Sequence, residues 1–463
     1  MTRIGSDITE RVEKMKPTIN ITYGIKEKPP ISVIILSALQ QLLAIMVATI
    51  CVPATVGNGM TASAALFGAG CGTMVYLLFT KNSSPVFLGS SFAFIGPMLS
   101  AFGGAASMAA GYAGLIIGAV IAGLVYVVLA LIVKFCGTSW ISKIMPPVII
   151  GPTVSIIGLS CAGWAISLLT TNELTGQTSN IALLLGLIAL AVAMLCSTYG
   201  KKMAKLIPFM IGVVVSYILA TILFFIGKGT GNAELQVINF SAFENMKSVI
   251  ALPEFTFLKA DWSAVDGNYI FYLFCAYAPV AFVVFAEHLA DHKNLSSILG
   301  TDLLEEPGLT RTLLGDGIGS MVGTFFGGCP NTTYGESVAC VAFSGNASTI
   351  SIWGAAIAAI LFSLITPLVA FLESIPDCVM GGVCIALYGF IASSGFKMFQ
   401  TVDLNRNRNL FTACVIFIVG VGGMTVHFGQ IELRTVACAL ILGILTYFML
   451  SKEKAPEIPE DKQ

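Results

Sequence analysis

Charge is scarce in this chain: 11% of its 463 residues are Asp, Glu, Lys or Arg, against about 25% in ordinary soluble domains. Too little charge is present to cover a soluble globule of that length. The 24 basic and 25 acidic residues nearly cancel, which leaves no basic surface for nucleic acid. Histidine is rarer still, with three residues too dispersed for a metal cage. The 12 cysteines are scattered, mostly inside apolar runs, and no Cys-x-x-Cys occurs. Metal, haem, cofactor and redox-pair readings therefore lack support, and small core packing is the expected cysteine role. Disorder, collagen-like structure and a secreted disulfide scaffold are excluded by the same composition.

What the chain has instead is apolar length, with 56% of residues hydrophobic. Residues 1–30 are polar and show no cleavable signal. Apolar runs then recur at 31–52, 62–80, 85–103, 111–133, 147–169, 181–198, 207–227, 268–290, 312–328, 332–344, 351–373, 378–396, 410–424 and 432–450. Most are long enough to cross a bilayer. The fold class expected is an all-α polytopic membrane protein with 14 spans.

Basic residues test that count. With residues 1–30 in the cytoplasm, alternation places Arg3, Arg11, Lys14, Lys16, Lys26, Lys28, Lys81, Lys134, Lys143, Lys201, Lys202, Lys205, Lys293 and Arg311 inside. Lys397, Arg406, Arg408, Lys452, Lys454 and Lys462 fall there too, so 20 of the 24 basic residues share one side. Only Lys228, Lys247, Lys259 and Arg434 fall outside. Both termini are thus expected in the cytoplasm. The one long loop, 228–267, divides the spans into two sets of seven. An odd number per half would insert the second half upside down, as in inverted-repeat transporters.

Internal similarity points the same way. Pro85-Val86-Phe87-Leu88-Gly89-Ser90-Ser91-Phe92-Ala93 and Pro330-Asn331-Thr332-Thr333-Tyr334-Gly335-Glu336-Ser337-Val338-Ala339 each run from Pro into Gly-x-Ser-x-Ala. They lie seven spans apart, as do Pro146 to Gly151 and Pro376 to Gly381. The tenth segment is short and opens on polar, β-prone residues. Irregular backbone at membrane depth is tolerated only where it is buried or lines a cavity. Two half-helices are therefore expected to meet near the midplane and offer N–H groups to an acceptor.

Ionisable residues inside spans cost about 2.5–3.5 kcal/mol on insertion scales, so each needs a reason. Glu287 and His288 close an otherwise apolar run, and Glu287 and Asp291 share a helix face. Glu287 reads as a substrate carboxylate. Asp291, His292 and Lys293 read as a helix emerging into solvent. Glu336, placed like Ser90 in the mirrored segment, reads as a ligand carboxylate rather than a helix cap. Asp316 reads as a buried carboxylate bonded to backbone or Ser, and His427 as a solvated loop residue. Gln40 and Gln41 are either interhelical glue or site lining. Glu373 and Glu432 read as interfacial.

Ala286-Glu287-His288, the run Pro330 to Glu336 and Gly89-Ser90-Ser91-Phe92-Ala93-Phe94 together closely resemble the nucleobase–ascorbate transporter family, nearest its bacterial uracil permeases. The likeness extends over almost the whole chain, to Met380-Gly381-Gly382-Val383 and Tyr388-Gly389. It implies a 7+7 inverted repeat, with spans 3 and 10 partly unwound into short antiparallel strands. A core domain would comprise 31–135 and 268–374, and a gate domain 136–227 and 375–450. Segments 1–30 and 451–463 would be cytoplasmic, and 228–267 extracytoplasmic. The family imports nucleobases with protons across the bacterial inner membrane, usually as dimers. By position, Glu287 and Glu336 would bind the base and Phe92 would stack on it. Ala48, Tyr334 and Gly335 would complete the pocket. Proton coupling would fall among Glu287, His288, Asp291 and Tyr388.

Two departures stand out. The family's Gln-His in the first span is Gln40-Gln41 here, and the His four residues after the eighth-span Glu is Asp291. The Asn-Thr-Thr-Tyr-Gly-Glu run resembles the pyrimidine branch; purine and xanthine members carry a different run. Uracil suits such a site independently of any resemblance. Two carboxylates can accept from its N–H groups, half-helix N–H groups can donate to its carbonyls, and an aromatic ring can cover its face. An anion transporter would want Lys or Arg at the midplane, and no span interior offers one. A membrane enzyme would want a clustered nucleophile, metal set or cofactor motif. A passive channel differs from a symporter in its lack of proton dependence.

Overall fold

The computed structural model describes residues 21–453 apart from 139, 202, 245, 429 and 430. The basic residues at positions 3, 11, 14, 16, 202, 454 and 462, most of 1–30 and of 451–463, and the side chain of Glu432 lie outside this description. Among the described residues the chain is mainly helical. The first half contains α1 (Ile31–Val56), α2 (Ala62–Phe79), β1 (Leu88–Ser90), α3 (Ile95–Gly103), α4 (Met108–Cys136), α5 (Pro147–Ser160), α6 (Ala162–Thr170), α7 (Asn180–Tyr199) and α8 (Pro208–Thr230). The second contains α9 (Gly267–Leu299), α10 (Leu309–Gly327), β2 (Asn331–Thr333), α11 (Gly335–Ser344), α12 (Thr349–Leu364), α13 (Thr366–Glu373), α14 (Asp377–Phe399), α15 (Asn407–Val421) and α16 (Thr435–Met449). Among the described residues, eight helical stretches are long and apolar enough to cross a membrane: α1, α2, α4, α5 with α6, α7, α8, α9 and α14. Shorter apolar helices are Phe92–Gly103, α12, α15 and α16.

Small residues decide which helices touch. A Cβ on Gly68 would collide with the carbonyl of Gly323, and one on Gly327 with the carbonyl of Ala64. Gly72 and Gly319 approach each other's carbonyls in the same way. This stripe lets α2 and α10 form the most extensive helix pair in the molecule. A second stripe brings α14 against α5, through Gly158 on the Tyr388 carbonyl and Gly395 on Gly151. The helices sort accordingly. One set joins α2, α4, α10 and α12 with α1 and α9; the other joins α5, α6, α7, α8, α14, α15 and α16.

Against the first set pack two interrupted segments. Pro85 and Pro330 precede three-residue strands, as the family resemblance implied, and β1 pairs antiparallel with β2 in the register Leu88–Thr333, Gly89–Thr332, Ser90–Asn331. Two strands so short are not stable alone. Neighbouring side chains complete their hydrogen bonding: Thr73 bonds both the N–H and the carbonyl of Leu88, and the Asn331 N–H donates to Ser320. The Phe87 N–H donates to Ser337 Oγ on α11 at 2.9 Å. These bonds satisfy buried backbone that no helix could.

The span expected at 268–290 is longer than its apolar run. Helix α9 starts on an Asp266 cap, whose carboxylate accepts from the Tyr269 N–H at 2.7 Å, and continues to Leu299. It stops at Gly300, which takes the left-handed conformation that glycine adopts without strain. Asp291 and His292 therefore do not emerge into solvent; both are buried, and only Lys293 is exposed. Polar partners from α2 and β2, absent from any local pattern, make that burial possible. His427 is exposed, at a short hairpin of residues 426–433, as a loop residue should be.

Candidate functional site

Tyr334, buried and extended, joins β2 to α11, so Glu336 falls in the first turn of the half-helix. Gly335 is exposed and Glu336 half-buried, and the free N–H groups of the helix start lie beside them. Glu287, on α9, is also half-buried. Glu287, Asp291, Asp316 and Glu336 lie close enough to interact electrostatically. Asp291 accepts a 2.7 Å hydrogen bond from Thr333 on β2. Its other oxygen would lie 3.9 Å from a Cβ on Gly335. Four carboxyl groups thus gather where α9 and α10 pass the crossing of the broken segments.

Behind them is a buried polar chain. His288 Nδ1 lies 2.7 Å from Asp316 Oδ2, and its Nε2 lies 3.0 Å from Thr312 Oγ1. Asp316 therefore pairs with a histidine, rather than with backbone or Ser as the sequence suggested. One turn on, His292 stacks on His288 with centroids 4.1 Å apart. Its Nδ1 meets the His288 carbonyl at 2.8 Å and its Nε2 the Tyr76 hydroxyl at 2.7 Å. A neutral ring with Nδ1–H donating to the carbonyl leaves Nε2 as an acceptor, facing the hydroxyls of Tyr76 and, at 3.4 Å, Ser84. Tyr76 donates to Ser84 Oγ across 2.7 Å. Sequence reasoning missed His292, Tyr76 and Ser84. The four-residue spacing of His288 and His292 was a usable signal, since it puts both on one face.

The other expected residues divide in two. Phe92 is buried and meets Tyr388 edge-on at 5.4 Å, so these two come together across the sets of helices. Ala48 is buried on α1. The Tyr388 hydroxyl makes no hydrogen bond to another described residue, so no hydrogen-bonded chain links it to the carboxyl groups. The Tyr334 hydroxyl is committed to the Ser90 carbonyl at 2.7 Å, which ties α11 to β1. Gln41 donates to the Ser337 carbonyl at 3.2 Å and Gln40 to the Met203 sulfur at 2.7 Å. Both act as interhelical glue, and Gln41 braces the half-helix that carries Glu336.

Phe92 also borders a cavity of about 220 Å³ that no residue of α11 lines. Phe92, Ser100, Trp164, Ala276, Val280 and Arg434 are among its walls. Close by, the thiols of Cys51 and Cys384 lie 3.3 Å apart, one from each set of helices.

Comparison with known proteins gives three kinds of likeness. The sequence model of a permease family matches residues 32–429. The uracil permease of Bacillus caldolyticus is 36% identical over 439 residues, covering 94% of this chain and 95% of that protein. The uracil permease of Bacillus subtilis (strain 168) is 34% identical, covering 96% and 98%. That of Escherichia coli (strain K12) is 34% identical, covering 95% and 97%. Among solved structures, the transmembrane domain of the cyanobacterial bicarbonate transporter BicA matches with TM-score 0.62 at 14% identity, covering 91% of this chain and 99% of that one. The murine anion transporter Slc26a9 in its inward-facing state matches with TM-score 0.60 at 13% identity, covering 92% and 69%. Likeness at such identity concerns the fold alone.

Proposed function

This chain belongs to the same permease family as the bacterial uracil permeases, and on that premise we propose that it imports uracil together with a proton. It is an integral membrane permease. One observation carries the finer reading: Glu336 opens a half-helix beside the strand crossing, within electrostatic reach of Glu287. Uracil is neutral and presents two N–H groups and two carbonyls. Glu287 and Glu336 accept from the N–H groups, and the N–H groups around Gly335 donate to a carbonyl. Phe92 covers the ring face, and Ala48 and Tyr334 bound the pocket.

Carboxyl groups crowded at one site cannot all ionise cheaply, so binding a proton with the base is favoured. Glu287, His288 and Asp291 are the proton-handling groups in this reading, and Tyr388 lines the moving surface. A proton carried inward couples import to the membrane potential at about 2.3 kcal/mol per 100 mV.

The architecture belonging to this reading has 14 spans in two inverted sets of seven, with both termini cytoplasmic. Residues 31–135 and 268–374 form a core that carries the base past a gate of 136–227 and 375–450, in a dimer in the bacterial inner membrane. Uptake of radiolabelled uracil tests it. We expect uptake that collapses with a protonophore and competes with unlabelled uracil. Uptake indifferent to the protonophore removes the coupling, and stronger competition by xanthine than by uracil moves the substrate to the purine side.

A further inference from the structure

Phe92 lines the 220 Å³ cavity, and none of Glu287, Asp291, Asp316 and Glu336 does, so the cavity is distinct from the carboxylate site. Val280 lines it from α9, and Glu287 is seven residues further along the same helix, about 10 Å along its axis. The cavity lies toward the end of the molecule where α9 begins. Drug-sized ligands occupy pockets of about 300–1,000 Å³, so this volume is of the right order for a single planar ring.

Its walls carry one charged side chain. Arg434, just before α16, reaches across to α3, the half-helix of the first broken segment. Its Nε donates to Ser100 Oγ at 2.8 Å. Its aliphatic stem runs over Gly96, where a Cβ would lie 3.4 Å from Arg434 Cδ. Gly96 and Ser100 are one turn apart, so the guanidinium lies along one face of α3. Trp164 supplies an indole wall and Phe92 the floor.

A guanidinium donates and never accepts. Beside aromatic faces it suits a flat ring whose edge carries carbonyl oxygens, and it disfavours cations and rings edged by amino groups.

We propose that this cavity is a second, outer docking site for oxo-pyrimidines, in which Arg434 meets a carbonyl edge and Trp164 covers the ring before the base passes Phe92. The proposal rests on the import reading above. Docking there raises the chance that a base is captured from dilute solution, while the carboxylate site beyond Phe92 sets the final affinity.

The test combines uptake by cells with uracil titration of the purified protein. Arg434→Gln is expected to raise the KM for uracil uptake about tenfold, the scale of one charge-assisted hydrogen bond, with little change in maximal rate. Uracil binding to the purified variant should stay within about twofold of the parent. Trp164→Leu, which leaves the Arg434–Ser100 bond intact, should raise KM in the same direction. Ser100→Ala removes one anchor of the guanidinium and keeps its charge in the cavity, so it should raise KM clearly less than Arg434→Gln does.

If Ser100→Ala reproduces Arg434→Gln, Arg434 is a strut between α16 and α3 and the proposal falls. It also falls if uptake by both cavity variants is unchanged, or if binding drops in parallel with uptake. Glu336→Ala, run beside them, separates the two readings: uptake that survives it overturns the carboxylate site, whatever the cavity variants do.

Discussion

The two broken segments, 85–103 and 330–344, share one backbone plan and differ in chemistry. Each starts at Pro, forms a three-residue strand, and turns into a short helix. They pair with each other through β1 and β2, so each completes the other's backbone hydrogen bonding. Yet the position that is Glu336 in one is Ser90 in the other. Ser90 is fully buried, with a hydroxyl that bonds no other described residue, whereas Glu336 is half-buried beside Glu287. Phe92 shows the reverse pattern, as an aromatic in the first segment where the second has Val338. A common scaffold holds the crossing together, and in the proposed site the substitutions upon it divide the labour: acceptors from one half, a ring face from the other.

That division can be broken. Glu336→Ala should reduce uracil uptake to background at unchanged membrane expression, while Ser90→Ala should keep it within about threefold, because a buried hydroxyl with no protein partner contributes little. Equal loss from both would mean that the crossing matters and the carboxylate does not.

Gly89→Ala attacks the scaffold itself. A Cβ there would overlap the Tyr334 ring, and overpacking of this kind costs about 1–3 kcal/mol or more. A lower melting temperature and reduced uptake together are expected; an unchanged melt would show that the strands yield easily. Phe92→Leu should raise the KM for uracil about tenfold, within the ~1–3 kcal/mol of one base–aromatic stack. An unchanged KM would leave the ring as a packing contact of Tyr388.

The smallest effect lies far from the crossing. Glu173, in the connection after α6, has its carboxyl pushed up to about 7 by burial and by the nearby Asp377. Between about pH 4.5 and 7 the folded protein holds that proton while the unfolded chain has lost it. Stability from this group is therefore greatest at low pH and falls as pH rises through that window. Glu173→Gln should flatten that part of the melting profile, modestly, because the burial is partial and solvent screens the group. A profile with the same slope in both proteins would exclude the effect.

Much of this was legible from sequence, for identifiable reasons. Apolar runs mark membrane helices because lipid leaves the backbone no other partner. The broken segments were legible because Pro and a matching Gly-x-Ser-x-Ala occur twice, seven runs apart; their pairing as strands was implied only by the family resemblance. What misled was the polar stretch after Glu287. Asp291-His292-Lys293 has the pattern of a helix leaving the membrane, and only contacts distant in sequence, Thr333 and Tyr76, bury its first two residues. The His288–Asp316 pair was hidden for the same reason, since nothing local records that α9 and α10 turn these side chains toward each other.

The central claim, that the acid of one broken segment and the ring of the other form one binding site, is tested most directly by titrating uracil into purified protein and following the heat of binding. Saturable heat is predicted for the parent chain, with its loss in a Glu336→Gln variant that keeps the parent melting temperature. Undiminished binding by that variant would contradict the account.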